Sequence, residues 1–375
     1  MKIAMIGHKR IPSREGGIEI VVEELSTRMV IKGHEVDVYN RKGNHVAGDK
    51  FNIKNIKEYN GVRIISVPTF KHKSLNAMVY SFLATIRALF GRYDIIHFHA
   101  EGPCVMLFIA HLFGKKTIAT IHGLDWQRAK WGGFASKYIL LGEKMAVKYA
   151  DEIIVLSRNV KEYFRYKYRR DVVYIENGVN IPQIKGDSII KEKYGIEKGS
   201  YILFLARLVP EKGLHYLIEA YNKVETDKKL VIAGGTSHSD EYIDNIKKMV
   251  ENNDNIIMTG FVQGEILQEL YSNAFLYVLP SDVEGMPLSM LEAMSYGRRC
   301  LVSDVPENVE AGERYVDYFR HSNVESLKQI LMDCLKREYT VDEEVIEYVR
   351  KKYDWNVITD KTLDVYKHVL EDVRR

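Results

Sequence analysis

The sequence predicts an α/β protein built as two layered domains, each around a mainly parallel sheet. Three observations carry that prediction. The chain has 375 residues, more than one hydrophobic core usually serves. Short β-branched runs alternate with stretches of helical apolar spacing, the rhythm of parallel strands joined by crossover helices. The rhythm pauses once, at the polar stretch VNIPQIKGDS after Gly178, and then restarts.

In the first half the strand runs are KIAMI, EVDVYN, VRIISV, DIIHFH, KTIATI, EIIVLS and VVYIE, with helical spacing in GGIEIVVEELSTRMVIKGH and LNAMVYSFLATIRALFG. In the second half they are YILFLA, KLVIAG, NIIMTG, AFLYVLP and CLVSD. Helical stretches GLHYLIEAYNKV, SDEYIDNIKKMVEN, EILQELYSN and PLSMLEAMSYG separate them, and long helices follow Asn323. The boundary falls near residues 180–200, giving Rossmann-like domains at 1–180 and 190–354. A last helix, about 355–373, is expected to return to the first domain. Ligands of open α/β sheets collect beyond the C-terminal strand ends, so two such domains facing across a cleft would line it with strand-end loops.

Hydrophobic residues at 46% and charged residues at 28% suit a folded, water-soluble protein. The net charge of +3 hides an asymmetry: residues 1–180 carry +12 and residues 181–375 carry −9. A basic first half implies an anionic partner. Cys104, Cys300 and Cys334 form no CxxC or metal array, which favours a reducing, cytoplasmic location. MKIAMIGHKRIP reads as a first strand rather than a signal peptide, and no run reaches spanning length.

The candidate functional residues sit just after strands. In GHKRIPSREGGIE, Gly16 and Gly17 precede a helix, where backbone NH groups can approach a phosphate without a Cβ in the way. The dinucleotide fingerprint GxGxxG is absent there, against an NAD(P) enzyme. In DIIHFHAEGP, His97 and His99 share one face of the strand end and Glu101 follows; a metal would want converging ligands, and no third ligand stands at a useful spacing. One histidine is expected to be structural, and the other with Glu101 to line an acceptor side. In ATIHGLDW, His122 ends a strand, either bonding backbone or donating to a substrate oxygen. In FLARLVPEKGLHY, Arg207 and Lys212 bracket a short loop before a helix, suited to neutralising a departing pyrophosphate.

The last stretch, PSDVEGMPLSMLEAMSYG, places Glu284 in a loop and Glu292 eight positions on, inside a helix. Gly285, Met286, Pro287 and Leu288 form the transition, with Pro287 suited to the first helical position and free NH groups facing a phosphate or sugar hydroxyl. Each carboxylate can accept from two neighbouring hydroxyls, so the pair reads as two clamps on the two sugars of a nucleotide-sugar. An acid/base couple for hydrolysis has weaker support, and spacing leaves it open.

Together these residues resemble the retaining glycosyltransferases of the GT-B fold, over nearly the whole chain. The motifs are Glu284-x7-Glu292, the Gly16-Gly17 loop, His122-Gly123, Arg207 with Lys212, and Glu176-Asn177-Gly178-Val179 joining the domains. The resemblance implies that Gly17 contacts the donor diphosphate and His122 bonds the transferred sugar. It implies that Arg207 and Lys212 stabilise the leaving nucleoside diphosphate, that Glu284 holds sugar hydroxyls and that Glu292 holds the ribose. It further implies no metal or other cofactor, and the leaving phosphate as proton acceptor on the retained face. HFHAEGP and the N-terminal stretch resemble transferases of capsule and O-antigen assembly; SDVPENVE departs from the glycine-rich version of many relatives.

The expected partners are a nucleoside-diphosphate sugar, a lipid-linked or free glycan acceptor, and an anionic membrane surface met by the first domain. The basic, aromatic stretches WQRAKWGGFASKY and RNVKEYFRYKYRRD, with Lys71 and Lys73, suggest that surface. No nucleic-acid recognition fold is present, and no nucleic acid is expected. Competing readings are a sugar-nucleotide epimerase without NAD, for which a convincing acid/base set is missing, and a non-catalytic carbohydrate binder, against which the intact Arg207 and Lys212 argue.

Overall fold

The computed structural model describes residues 1–43, 56–69, 75–127, 133–235 and 240–371. Lys71, Lys73 and the segment 128–132 of the first basic stretch lie outside the described residues. The chain divides into two compact units, Met1–Gly178 with Trp355–Arg375, and Val179–Asp354.

The first unit holds an eight-stranded sheet. Its strands are β1 (Lys2–Ile6), β2 (Glu35–Arg41), β3 (Glu58–Tyr59), β4 (Val62–Val67), β5 (Ile95–His99), β6 (Thr117–Ile121), β7 (Glu152–Val155) and β8 (Val173–Tyr174). The order is β3-β4-β2-β1-β5-β6-β7-β8, parallel except for the β3–β4 pair. β1, β5 and β6 are buried almost throughout, which is why they read as continuous apolar runs rather than alternating ones. β3 escapes a sequence reading because Glu58–Tyr59 sit in a polar stretch, whereas the equally short β8 lies in the β-branched run VVYIE.

The C-terminal helix Trp355–Glu371 belongs to this unit and packs on the helix Gly17–Ile31. Lys32 pairs with Asp360 at 2.7 Å, and Lys361 donates to Glu176 at 3.2 Å. Gly178 is fixed by the same helix, since a Cβ there would stand 2.5 Å from the Trp355 ring.

The second unit holds a six-stranded parallel sheet of β9 (Tyr201–Leu205), β10 (Lys229–Ala233), β11 (Ile256–Gly260), β12 (Leu276–Leu279), β13 (Cys300–Ser303) and β14 (Asp317–Phe319), in the order β11-β10-β9-β12-β13-β14. Both units are Rossmann-like, with a crossover reversal beside the first strand. In the first unit it lies between β1 and β5, in the second between β9 and β12. Those reversals are where an open sheet leaves a crevice at its C-terminal edge.

Candidate functional site

In the second unit the reversal brings together the loops after β9 and β12. The chain leaves β9 through Arg207, turns at Pro210–Lys212 and enters the helix Leu214–Tyr221 at Gly213. Gly213 has φ +67°, and a Cβ on it would lie 1.9 Å from the Pro280 carbonyl oxygen. Only glycine allows that approach. The Asp282 NH donates to the Glu211 carbonyl at 3.0 Å, so backbone ties the two loops together.

Across this junction Lys212 Nζ donates to Glu284 Oε1 at 2.5 Å, and Ser281 Oγ donates to the same oxygen at 2.6 Å. Glu284 is 8% exposed. Ser281 is itself held through its carbonyl by Ser303 Oγ, and Asn308 Nδ2 donates to Ser303 Oγ at 3.0 Å. Asn308 belongs to the segment that departs from the glycine-rich pattern, and in this chain it props the Glu284 loop. Arg207 is half-buried in the same strand-end loop.

Glu292 lies on the helix Leu288–Ser295, where the Tyr271 hydroxyl donates to its Oε2 at 3.0 Å. Pro287 occupies the N-cap rather than the first helical position, which corrects the sequence expectation. The NH groups are also more committed than expected: Leu288 donates to the Met286 carbonyl at 2.9 Å, and Met290 and Leu291 donate to that of Pro287. Gly285 is buried and Met286 half-buried at this entry.

In the first unit the reversal gathers four histidines. Gly7, at φ +122°, ends β1 so close to β5 that a Cβ would lie 2.1 Å from the His99 carbonyl oxygen. His8 Nε2 lies 3.0 Å from Asn40 Oδ1, and burial lowers its pKa to about 4. His97 stands between Tyr366 Oη at 2.6 Å and Thr120 Oγ1 at 2.7 Å, and burial lowers its pKa to about 3. It thereby links the sheet to the C-terminal helix.

His99 Nδ1 lies 3.2 Å from His122 Nε2, and burial holds His99 well below the usual histidine range. His99 Nε2 is buried with no hydrogen-bond partner. A buried orphan N–H is rarer than a bare acceptor, so the proton of His99 sits on Nδ1 and is donated to His122. His122 therefore accepts at Nε2 and carries its own proton on Nδ1.

His97, His99 and Glu101 are all 0% exposed. The expected acceptor-side lining is thus corrected: these residues form a supporting layer behind His122. Glu101 Oε2 accepts from the Asp125 NH at 3.0 Å and so anchors the His122–Trp126 loop. Burial, with the nearby charges of Asp125 and Glu143, raises its carboxyl far above the ordinary range.

Gly16 caps the helix Gly17–Ile31 without a side-chain bond, and Gly17 is exposed. The positive end of that helix already faces a carboxylate. Glu19, in the first turn, accepts from the Lys9 NH at 2.8 Å, and a Cβ on Gly16 would meet its Oε2 at 2.8 Å.

The basic run 161–170 is also corrected in part. Buried Glu143 accepts from Trp126 Nε1 at 3.1 Å, the Tyr163 hydroxyl at 2.8 Å, Lys167 Nζ at 3.0 Å and the Tyr168 hydroxyl. Lys167 stands over the rings of Trp126, Tyr163 and Tyr168 at 4.7–5.3 Å. Arg170 donates to the Ala150 and Asp151 carbonyls. Tyr163, Lys167, Tyr168 and Arg170 thus act as scaffolding, while Arg165, Tyr166 and Arg169 are exposed. Sequence reading missed Glu143, Ser281 and Tyr271, and only Ser281, three residues before Glu284, left a local signal.

Comparison with known proteins agrees with this fold. Residues 15–183 match the family described as Glycosyltransferase Family 4, and residues 187–352 match Glycosyl transferases group 1. An uncharacterized glycosyltransferase of Methanocaldococcus jannaschii is 29% identical over the full length of both chains. The UDP-Gal:alpha-D-GlcNAc-diphosphoundecaprenol alpha-1,3-galactosyltransferase of Escherichia coli is 29% identical, over 66% of this chain and 67% of its own. Among solved structures, sucrose-phosphate synthase from Thermosynechococcus elongatus superposes with a TM-score of 0.83 at 19% identity, over 99% of both chains. Two Rossmann-like units, each reversed at the strand ends that carry the polar residues, and two family matches in sequence lead to one conclusion: the chain belongs to the group 1 glycosyltransferases and has the GT-B fold.

Proposed function

We propose that the protein is a retaining, metal-independent transferase. It moves a hexose or deoxyhexose from a nucleoside-diphosphate sugar to a polyprenyl-diphosphate-linked glycan in bacterial surface polysaccharide assembly. The observation that carries this reading is the Lys212–Glu284 contact at the reversal of the second sheet. A cation suited to a leaving diphosphate and a carboxylate suited to sugar hydroxyls stand on one spot. The Escherichia coli relative, whose name specifies a UDP-sugar donor and a diphosphoundecaprenol acceptor, supports the choice of substrates.

In this account Arg207 and Lys212 neutralise the negative charge that grows as the sugar–phosphate bond breaks. Glu284 orients the sugar and Glu292, aligned by Tyr271, orients the ribose. His122 donates its Nδ1 proton to a hydroxyl of the transferred sugar. The leaving phosphate takes the acceptor proton on the face it departs from, which preserves the anomeric configuration. Gly16, Gly17 and the Gly285–Leu288 entry contribute backbone contacts to the donor.

The test is product analysis with nucleoside-diphosphate sugars and a short-chain prenyl-diphosphate saccharide, in the presence of a chelator. A product with the donor's anomeric configuration supports the reading. An inverted product, or a sugar epimerised without acceptor, contradicts it.

A further inference from the structure

Glu101 opens the short helix Glu101–Cys104, against which the helix Gly133–Tyr149 packs. The two come so close at Gly142 that a Cβ there would lie 1.8 Å from the Glu101 carbonyl oxygen. That approach sets Glu143, the next residue, against Glu101. Both residues are 0% exposed, and their carboxyl groups are hydrogen-bonded to each other. Two carboxylates are both acceptors and cannot make such a bond, so one of the pair carries a proton. The surroundings decide which. Glu143 collects a cation, Lys167 Nζ at 3.0 Å, together with the Tyr163 and Tyr168 hydroxyls and Trp126 Nε1. Glu101 receives the Asp125 NH on Oε2, and its Oε1 is buried without a donor. Among the described residues no cation pairs with it. Burial and the charges of Asp125 and Glu143 favour its neutral form.

The pair holds the chain directly after His122. The Asp125 NH rests on Glu101 and the Trp126 indole on Glu143, so the stretch from His122 to Trp126 is held at both of these residues. A neutral Glu101 suits its two contacts, since its carbonyl oxygen accepts from the Asp125 NH while its hydroxyl donates to Glu143. An ionised Glu101 would bring two negative charges together away from water, a cost that buried carboxyls avoid by keeping a proton.

We propose that Glu101 is a protonated positioning residue: it donates to Glu143 through Oε1, and the pair so formed fixes the His122 loop for transfer. Glu101 itself touches no substrate. The inference deepens the proposed function and rests on it for the role of His122, whereas the shared proton stands independently of that reading.

The test sets Glu101→Gln beside Glu101→Leu in the full chain. Glutamine reproduces both bonds of the neutral acid, with an amide NH for Glu143 and an oxygen for Asp125, so it should keep kcat near that of the wild type. Leucine fills the space and offers neither bond. It should lower kcat about tenfold or more with donor KM little changed. The infrared difference between the wild type and Glu101→Gln at neutral pH should contain the C=O stretch of a protonated carboxyl. Absence of that band overturns the proposal. So does a fall in kcat of about 100-fold or more in Glu101→Gln, the loss expected of a carboxylate acting on substrate. Full activity in Glu101→Leu also overturns it. Tryptophan-monitored melting shows whether Glu101→Leu folds, and where it does not, Glu101→Gln and the band decide the matter. The band needs no substrate: if the wild type transfers no sugar, the proposed reaction falls, and the shared proton is still decided by the spectrum.

Discussion

Lys212 and Glu284, 72 residues apart in the chain, meet at 2.5 Å, with Ser281 donating to the same carboxylate oxygen. The pair is more than two neighbouring ligands. Each fixes the other's position before substrate arrives, so donor binding must redirect a contact that already exists.

Removing one partner leaves the other buried with less compensation. Lys212→Ala should lower the transfer rate by about 100-fold or more, while nucleoside-diphosphate affinity falls by less than about tenfold. Glu284→Ala should impair use of the sugar more than binding of the free nucleotide. The double variant should depart from additivity by about 1–3 kcal/mol in transition-state stabilisation. Steady-state kinetics on the four proteins checks this, and equal rates for wild type and Lys212→Ala would remove the leaving-group role.

Tyr271 has one hydroxyl bond that matters for the site, its donation to Glu292. The same hydroxyl lies 3.3 Å from the Ser289 carbonyl, so Tyr271→Phe keeps the ring in the core and removes a donor that Glu292 and Ser289 share; the bond to the charged group is worth about 1.5–3 kcal/mol. The expected outcome is a donor KM raised roughly tenfold or more with kcat nearly unchanged. A fall in kcat alone would contradict the ribose role of Glu292.

His99 acts through His122. His99→Phe should leave His122 without a fixed tautomer and lower kcat about tenfold, and His99→Asn, which can restore a donor near the Nδ1 position, should recover most of it. Nitrogen-15 spectra of the wild type should show His122 neutral with its proton on Nδ1. A proton on Nε2 would overturn the assignment.

The buried histidines also set acid stability. His8, His97 and His99 are neutral when folded, with pKa values below the usual 6.5. Unfolded chains bind their protons below about pH 6.5, so stability is complete above that value. It is lost as pH falls toward about 4, by about 1.4 kcal/mol per pH unit for each histidine. Glu101 has the opposite sign: raised when folded, it favours the fold most below about pH 4.3 and loses that contribution steadily as pH rises. Three histidine slopes outweigh, in the acid range, the carboxyl slopes of Glu101 and of Glu23, another carboxyl whose pKa burial raises, and the carboxyl slopes remain above it. Stability of the first unit should therefore peak near pH 6.5. All three tryptophans, Trp126, Trp131 and Trp355, belong to that unit, so fluorescence melting reads it selectively. His97→Asn should flatten the acid side, and a steeper acid loss in that variant would contradict the account.

Much of the fold was legible because buried parallel strands announce themselves as short apolar runs between helical patterns, as in KIAMI and YILFLA. β3 and β14, EY and DYF, have no β-branched residue and escape notice, whereas β8, just as short, was legible in VVYIE. The Glu284–Glu292 spacing was legible because it is local. Which strands flank β9 was not, and that order places Lys212 on Glu284. Direction was also hidden in RNVKEYFRYKYRRD: composition reported a basic patch, whereas Lys167, Tyr163 and Tyr168 turn toward Glu143, a residue with no distinguishing context in sequence. His97, His99 and Glu101 stood out in sequence as unusual polar residues at a strand end. Their burial, which makes them supports rather than contacts, depends on packing that only the folded chain reveals.

The central claim is that the loops meeting at Lys212 and Glu284 receive a nucleoside diphosphate without a metal. Calorimetric titration with UDP, GDP, ADP and dTDP, in chelator and again with magnesium, tests it most directly. The account predicts that one of the four binds well in chelator, that magnesium adds little, and that Glu292→Ala weakens the binding. Binding of none of them, or binding only with magnesium, would contradict it.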